Sequence, residues 1–594
     1  MKKVIVLLTI IFSSLGLSAQ NLNLSASPND ILRAMRDEIN RSMSQLKLES
    51  LERPYFVEYT ITITDNFNAS AKLGNLISRS NNKEVSLDVG IRVGNYALDN
   101  SNFMDIGSMF FGSRDMGERY SSRRIPLDLN YNVLRKELWL ATDGAYKNAT
   151  ETYSKKLASL KNIIQKDTIP DFSKVKPFKG VDTAIFPKID FDKITDQVLN
   201  ISAIFKNYPQ IYSSNVSFEY LPKRIYYVNS EGTEYIKDDF FAGIEGVAYL
   251  QADKGTPIVE HYSAYARFPK DFPSLDSLSK GITLTAENIT KLSQAPTLDE
   301  SYNGPVLVEG QAACEVLARV FVPNLIAQRE QTSEGQFSFG GNEKSNLFQK
   351  KIGGRVLPEF LSIKDDPSMT EYQGVPLLGY YKIDDEGVPA QTVNLVEKGY
   401  LKSLLSNRTP IKRVLESNGH ARGGTIIISN LIMSSEQSKS LPTKELKQKF
   451  LDLVKQRELP YGIIIRKIVD RNILYTSLSA ITFGNSSFLS EQNAIPLLQA
   501  YKVYPNGKEE LLKNVEINSL TVQSFKDIVN VGNKGYVLNY LAPAVIQSFN
   551  FGRSIYTGSS IIAPDLLFED LEINANDKDT PKLPFISAPV VNKK

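Results

Sequence analysis

Residues able to bind a transition metal or to act as a nucleophile are scarce in this sequence. The chain has one cysteine, Cys314, and two histidines, His261 and His420. Cys314 is followed directly by Glu315 within an apolar segment. A thiolate and a carboxylate can both bind zinc, and a carboxylate beside a zinc-bound water can accept its proton. Neither histidine has a partner at metal-ligand spacing, so we interpret each as structural or solvent-facing.

Arg319 follows Glu315 at the spacing that brings two side chains together on a helix. This spacing predicts an ion pair on the helix surface, worth about 0.2–0.5 kcal/mol. The guanidinium cannot bind a metal, because it stays protonated and has no acceptor atom. It can bind a carboxylate through two parallel hydrogen bonds. A cysteine such as Cys314, in an apolar stretch, is more often a small buried side chain than a reactive thiol.

A second polar cluster is the run Asp384, Asp385, Glu386 and Gly387. Adjacent acids followed by a glycine, with Pro389 close behind, are typical of a solvated turn before a hairpin. The sequence therefore offers two candidate sites, one on a helix and one in a turn.

Hydrophobic periodicity predicts the elements that must position these residues. Val306 to Val308 reads as a strand, and the segment from Gln311 onward as a buried helix. An N-terminal helix begins at the capping pair Ser27-Pro28. Further predicted helices and strands are Tyr55 to Ile63 (strand), Val133 to Ile164 (helix), Arg224 to Ile236 (hairpin), Ser274 to Ala295 (helix), Thr425 to Met433 (strand), Leu446 to Val454 (helix), Tyr461 to Ile468, Leu498 to Tyr504 and Ser560 to Ile573 (strands).

These elements predict an α+β protein with two large domains. The first, residues 20–298, combines helices with an antiparallel sheet. The second, residues 299–573, is rich in strands. The tail at 574–594 is rich in lysine, aspartate and proline, and we predict that it is disordered.

The first 19 residues have the composition of a signal peptide. Lys2 and Lys3 form a positive region, Val4 to Phe12 is apolar, and small residues end at Ala19. No other run reaches about 18 apolar residues, so no membrane span is expected. We therefore predict a soluble protein exported to a periplasm or beyond, with residues 1–19 removed.

Composition excludes several classes of protein. The formal net charge is only +3, which argues against a nucleic-acid partner bound through a broad basic surface. A single cysteine excludes an intrachain disulfide framework and an iron–sulfur cluster. Nothing in the sequence indicates an organic cofactor.

Several segments in a fixed order resemble the TldD/PmbA family of metallopeptidase-related proteins, once called modulators of DNA gyrase. They cover roughly residues 300 to 573 and include the acidic run. The segments are Gly304 to Arg329, Lys351 to Val356 with Asp365-Asp366, Ile383 to Gln391, Asn394 to Lys402 and Ala563 to Glu569.

The resemblance implies a zinc site on the predicted helix. Active members carry His-Glu-x-x-x-His there and a third ligand, a cysteine, towards the C-terminus. The motif falls on Cys314 to Arg319, where only Glu315 keeps its type, and Asp527 to Glu572 contain no cysteine. Glu315 is the candidate catalytic residue, and Cys314, Arg319 and the acidic loop at 384–387 are candidate binding residues. We predict no metal ligand in this chain.

The resemblance also implies a function and partners. Family members dimerise around a cavity, and a zinc-bearing subunit degrades unfolded peptides beside one that lacks the ligands. We therefore expect a zinc-free, non-catalytic subunit that binds extended or unfolded peptide, as a homodimer or with a zinc-binding paralogue. Two alternatives remain open: an active metallopeptidase with altered ligands, in which Cys314, Glu315 and one histidine converge, and an envelope-binding or scaffold protein without a peptide role.

Overall fold

The computed structural model describes residues 27–47, 52–104, 122–161, 169–252, 255–329, 332–333, 346–470, 494–518, 520–543 and 556–576. The predicted signal peptide and residues 577–594 of the predicted tail lie outside these ranges. Within them, no helix is both long enough and apolar enough to cross a bilayer.

The first half of the chain forms a seven-stranded sheet in the order β4-β2-β1-β6-β7-β5. β8 pairs with the same edge of β7 as β5, further along the strand. β5 alone runs parallel to its neighbour. The strands are β1 (Pro54–Lys72), β2 (Asn75–Val93), β4 (Ser122–Ile125), β5 (Lys179–Asp182), β6 (Ser213–Asn229), β7 (Glu234–Gln251) and β8 (Pro257–Ala266), while the short β3 (Phe103–Met104) lies outside this sheet.

Four helices cover one face of this sheet. α1 (Pro28–Gln45) and α2 (Tyr131–Leu160) pack on one part, and α3 (Phe191–Ala203) and α4 (Leu275–Gln294) on the other. Alternate residues of β7, such as Ile236 and Ile244, point to the helices. Their neighbours in the alternation, such as Tyr235 and Val247, point to the opposite face and pack elsewhere. Strand periodicity thus separates a helix-covered face from a face available to the second domain.

Local sequence explains several of these boundaries. α1 begins where predicted, because the Ser27 side chain accepts the N–H of Asp30 and Pro28 occupies the first turn. β1 and β2 are joined by a tight turn in which both Leu73 and Gly74 have positive φ, at 49° and 69°. Such turns match the right-handed twist of the paired strands. The strands extend well beyond the predicted Tyr55 to Ile63, since polar residues occupy the half-buried face.

The second half of the chain is built on a twelve-stranded sheet. β9 pairs with both β20 and β25, so the path β25-β23-β21-β20-β9 closes on itself. Its members are β9 (Tyr302–Val308), β11 (Leu361–Asp365), β14 (Val393–Glu397), β15 (Tyr400–Leu401), β18 (Asn430–Ser435), β19 (Ser440–Leu441), β20 (Gly462–Ile468), β21 (Ile495–Val503), β22 (Glu509–Leu512), β23 (Val515–Ile517), β24 (Ile528–Pro543) and β25 (Tyr556–Ala575).

Smaller elements complete this half. Two-stranded pairs are formed by β12 (Glu371–Tyr372) with β13 (Val375–Pro376), by β16 (Ala421–Arg422) with β17 (Thr425–Ile426), and by β10 (Thr332–Ser333) with β3. The helices are α5 (Gln311–Val316) and α6 (Thr443–Gln456).

Two boundaries differ from the predictions. The strand predicted over Thr425 to Met433 is broken between β17 and β18, where residues 427–429 form no strand. β25 continues to Ala575, and Asn574 pairs with Glu516 of β23, so the first two residues of the predicted tail belong to a strand. In both places, pairing with distant strands sets the ends of the element, and local composition does not reveal it.

The fold class is confirmed: helices on an antiparallel sheet are followed by a strand-rich region. Apolar clusters are among the contacts by which the free face of the first sheet meets the described part of the second half of the chain. Val247 and Val259 pack against Val469 and Leu498. Tyr227 and Tyr235 pack against Ile383, at the start of the acidic loop.

Candidate functional site

Helix α5, which carries the candidate residues, is fixed at its start by three polar contacts. The N–H of Gly310 donates to Asp565 Oδ1 of β25 at 2.8 Å. Gln311 exchanges two hydrogen bonds with the main chain of Ile468, receiving one at 2.9 Å and donating one at 3.2 Å. Arg466 Nε donates to Glu309 Oε2 at 2.8 Å. The helix is therefore anchored to β20 and β25 before the first candidate residue.

The predicted helix does not continue as a regular α-helix. After Val316 it changes to a π-helical turn over Leu317–Phe321, which contains Arg319. Pro323 follows and has no N–H with which to extend the regular pattern. Single π turns are frequent at functional sites, because they move a side chain off its regular helical position.

Glu315 and Arg319 meet as predicted, but not on the surface. Arg319 Nε lies 3.4 Å from Glu315 Oε2, and their side chains are only 11% and 6% exposed. Gln311 Nε2 donates to the other carboxylate oxygen of Glu315 at 3.4 Å. The prediction of a surface pair was wrong, because β20, β24 and β25 pack against this helix. A buried pair is costly to break, since each partner leaves an uncompensated charge behind.

Cys314 is fully buried and its sulfur faces the main chain of two strands. It donates weakly to the carbonyl oxygens of Tyr536 and Ile561, at 3.7 and 3.6 Å. Burial raises the pKa of the thiol well above its ordinary value. The thiolate is the form that binds metals, so this side chain behaves as a small hydrophobic residue.

His261, on β8 of the first sheet, reaches the same region from the opposite side. Its Nε2 accepts the main-chain N–H of Asp470 at 3.2 Å. Burial lowers the pKa of His261 well below its ordinary value, and the positive charges of Lys467 and Arg319 act in the same direction. The imidazole is therefore neutral, and because Nε2 accepts, the ring proton is assigned to Nδ1.

His420 lies in a different place and is fully buried. Its Nε2 is 3.0 Å from Asp365 Oδ1, and its Nδ1 is 2.9 Å from Asn418 Oδ1. The N–H of Ser429 also donates to the Asp365 carboxylate, and the Ser429 hydroxyl makes a further short contact with it. The interpretation of this histidine as structural agrees with these contacts.

The acidic loop is not a solvated turn throughout. Asp384 is fully buried and accepts the N–H groups of Glu386, Val388 and Ala421 at 2.8–3.1 Å. Burial raises its pKa well above the ordinary value, and the charge of Glu386 acts in the same direction. Only Asp385, with a side chain 44% exposed, fits the prediction of a solvated acid.

The loop is docked on the hairpin between β6 and β7. Lys237 Nζ donates to Asp385 Oδ1 at 2.9 Å, and Glu386 Oε2 accepts the N–H of Arg408 at 2.7 Å. Gly387 has φ +78°, and a Cβ there would lie 2.6 Å from Thr233. Asp385 and Gly387 thus contact the first half of the chain directly, and Glu386 holds Arg408, whose side chain pairs with Glu231. The loop joins the two halves of the chain and is separate from helix α5.

The residues on helix α5 do not fit the zinc site that the family resemblance implies. The Cys314 sulfur is enclosed and already directed at carbonyl oxygens, and Arg319 has no lone pair to donate. Across the described part of the chain, no three His, Cys, Asp or Glu side chains converge as a ligand set. Among the described residues, the alternative in which Cys314, Glu315 and a histidine share a metal finds no geometric support, because no such set converges and His420 is paired with Asp365.

A charge cluster beside the start of helix α5 gives a prediction about pH. Hydrogen bonds from Arg466, and then from Lys447, lower the pKa of Glu509 to about 2, although burial acts in the opposite direction. In an unfolded chain the pKa of a glutamate is about 4.3. Glu509 therefore adds stability that is complete above that value and disappears as the pH falls towards about 2.

We expect Glu509→Gln to lower the urea midpoint at pH 7 and to lower it less at pH values near 3. Urea unfolding at a series of pH values measures the difference. Glu445→Gln, an exposed position on α6, is the matched control and should show little change. An equal loss at both pH values would contradict the role of this ion cluster.

The fold is of the α+β class, with helices on a sheet followed by a strand-rich region. Residues 301–575 match the family described as the PmbA/TldA metallopeptidase C-terminal domain. This region of the chain therefore belongs to the TldD/PmbA family.

Solved structures of the same fold cover most of the chain. A protein from Thermotoga maritima, described as a candidate modulator of a DNA gyrase, is 16% identical with a TM-score of 0.55, and the match covers 91% of this chain and 100% of that one. TldE from Thermococcus kodakarensis is 13% identical with a TM-score of 0.55, again covering 91% and 100%. At these identities the likeness establishes the fold and nothing further.

Two archaeal relatives are named metalloproteases, but the aligned segments are short. The one from Archaeoglobus fulgidus is 31% identical over 91 residues, which is 15% of this chain and 20% of that protein. The one from Methanocaldococcus jannaschii is 34% identical over 84 residues, or 14% and 18%. The chain thus matches a fifth or less of the length of these relatives.

Sequence reasoning missed several residues that shape the site. Gln311 and Asp565 fix the helix, and His261 comes from the first sheet to bond the main chain of Asp470, just after β20. Asp565 lies within the segment Ala563 to Glu569 that resembles the family, and this was a usable signal for that residue. Nothing in the sequence could have placed His261 there, because it arrives from another domain.

Proposed function

We propose that this protein is a non-catalytic member of the TldD/PmbA family that binds extended polypeptide. The observation that supports it best is Arg319, a permanent cation at a position where the resemblance expects a metal-binding histidine. Its two terminal nitrogens are buried and, among the described residues, have no acceptor. A site of this kind favours binding of a polar group over activation of a water molecule.

The mode of peptide binding is also part of the proposal. An extended peptide can add to the edge of a sheet through its main chain, which gives affinity with little sequence selectivity. Assembly with a second copy, or with a relative that keeps the histidines, belongs to the same proposal, and so does the division into domains at 20–298 and 299–573. Export after removal of residues 1–19 is supported by the order of charged, apolar and small residues there.

Metal content and peptidase activity test the non-catalytic character. We expect the purified protein to hold far less than one zinc per chain and to leave a quenched fluorescent peptide uncut, with or without added zinc. Glu315→Gln should then change neither result, and Glu397→Gln, at an exposed site, serves as the matched control. Stoichiometric zinc together with cleavage that is lost in Glu315→Gln alone would overturn the proposal.

Peptide binding is tested separately by fluorescence anisotropy with a labelled, unstructured peptide. Saturable binding supports the proposal. Absence of binding to any unfolded polypeptide would remove the peptide role and leave the scaffold alternative.

A further inference from the structure

Three hydrogen-bond donors are buried without acceptors where helix α5 faces the first sheet. They are Nη1 and Nη2 of Arg319 and, by the tautomer assigned above, Nδ1–H of His261. Among the residues that the structure describes, none of the three nitrogens has a hydrogen-bond partner. Buried donors without partners cost free energy, so natural structures nearly always satisfy them with protein, water or a ligand.

The neighbouring groups are already occupied by other contacts. Glu315 approaches Arg319 at Nε, at 3.4 Å, and leaves the two terminal nitrogens free. His261 uses Nε2 for the N–H of Asp470. Lys467, the other nearby cation, donates to Glu260 Oε1 at 2.5 Å, so its charge is neutralised locally.

Arg319 and His261 belong to one site. Both lie by the C-terminal end of β20. His261 Nε2 accepts the main-chain N–H of Asp470, while Gln311, which bonds the main chain of Ile468, also donates to Glu315, the ion-pair partner of Arg319. The charge of Arg319 acts on the pKa of the imidazole in the same direction as its burial. The two residues arrive from different domains, one on the π turn after α5 and the other on β8. Their free atoms are all donors, so the missing partner must present acceptors.

The free donors, the nearby acids and the exposure of the site together indicate the chemical class of the missing partner. A guanidinium with two free terminal nitrogens matches a carboxylate, which accepts two parallel hydrogen bonds. The acids Glu315 and Asp470 lie beside the site, and they would repel a doubly charged group such as phosphate more strongly than a singly charged carboxylate. Only 11% of the Arg319 side chain and 3% of His261 are exposed. A site this enclosed suits the end of a bound peptide better than the middle of a peptide that continues in both directions.

We propose that Arg319 and His261 form a subsite for the C-terminal carboxylate of a bound peptide. This rests on the proposed function, because it names the part of the peptide that the protein recognises. Arg319 holds the carboxylate through Nη1 and Nη2, and His261 donates a third hydrogen bond through Nδ1. The protein would then select chain ends with little regard for the residues that precede them.

Three labelled peptides of one unstructured sequence test the subsite by fluorescence anisotropy with the full-length mature protein. The first has a free C-terminal carboxylate, the second a C-terminal amide, and the third the same amide with one internal glutamate. We expect the free acid to bind about tenfold or more tightly than the amide, since hydrogen bonds between charged partners are the strong ones. The third peptide should bind like the second.

Variants of the arginine identify the residue responsible. Arg319→Gln should abolish the preference for the free acid, and Arg319→Lys should retain part of it. Arg33→Gln, at an exposed arginine on α1, should keep the full preference. Thermal unfolding confirms that each variant is folded, and the comparison of peptides on the unmodified protein needs no variant.

The outcomes separate this inference from the proposed function. Equal binding of free acid and amide would overturn the subsite and leave peptide binding intact. Binding of the glutamate-containing amide as tightly as the free acid would overturn the assignment to the C-terminus. Absence of binding for all three peptides would overturn the proposed function itself.

Discussion

Replacing Arg408 with alanine is expected to lower the free energy of unfolding by about 3–5 kcal/mol, the usual cost of removing one partner of a buried ion pair. The Arg408 side chain is completely buried. It pairs with Glu231 at 2.8 Å, donates to the carbonyl oxygen of Ser173 at 2.7 Å, and lies 3.8 Å from the centre of the Phe172 ring. Its loss removes the donor of the Ser173 carbonyl and the cation beside the Glu231 carboxylate, which keeps only a neutral donor, the hydroxyl of Tyr96, among the described residues.

Arg408 joins the two halves of the chain, so its replacement also weakens the contact between them. Its main-chain N–H holds Glu386 of the acidic loop, while its side chain holds residues of the first half of the chain. Equilibrium unfolding in urea measures the effect. Arg413→Ala removes an exposed arginine only a few residues away, and should cost about 0.5 kcal/mol or less. Similar stability of the two variants would show that Arg408 is not a structural clamp.

Replacing Asp365 with alanine is expected to lower the free energy of unfolding by a comparable amount, about 3–5 kcal/mol. The carboxylate is fully buried at the end of β11 and accepts from the main chain and hydroxyl of Ser429. It also partners His420 Nε2 at 3.0 Å. Alanine would leave all of these groups buried without a partner, and each such group costs about 1–3 kcal/mol.

Urea unfolding of Asp365→Ala beside Asp452→Ala tests this prediction. Asp452 is exposed on α6 and accepts only from Gln448 nearby, so its loss should be small. The loss of unfolding free energy for Asp365→Asn should fall between those of the two alanine variants, because the amide oxygen can still accept from Ser429. A loss below about 1 kcal/mol for Asp365→Ala would mean that water replaces the carboxylate without difficulty.

The sequence predicts the elements of this fold well where the signal is local. The α1 helix follows from the capping serine, the proline in the first turn and apolar residues at helical spacing. The hairpin of β6 and β7 follows from Asn229 to Gly232 between two strand-like runs. Helix α6 buries Leu446, Phe450 and Val454, as its periodicity indicates, although Leu453 is only half-buried. These features depend on neighbours within a few turns of chain.

The sequence does not predict where the elements meet. Glu315 and Arg319 have the spacing of a surface pair, and only the cover supplied by distant strands buries them. Asp384 resembles a solvated acid, but the donors that surround it come partly from Ala421, far along the chain. The π turn depends on packing around Phe321 as well as on Pro323. Burial is a property of the assembled molecule, and it decides the charge state of each of these groups.

By itself, the sequence determined that this protein has an α+β fold, that it belongs with the TldD/PmbA proteins, and that an arginine stands where a histidine was expected. These conclusions need only residue types and their spacing along the chain. The tertiary structure alone decided that the guanidinium is buried with two nitrogens that have no partner among the described residues, and that His261 of the first sheet bonds the main chain just after β20. The physical reason is that an unsatisfied donor is defined by what surrounds it in space, and those surroundings are assembled from strands that are remote in sequence.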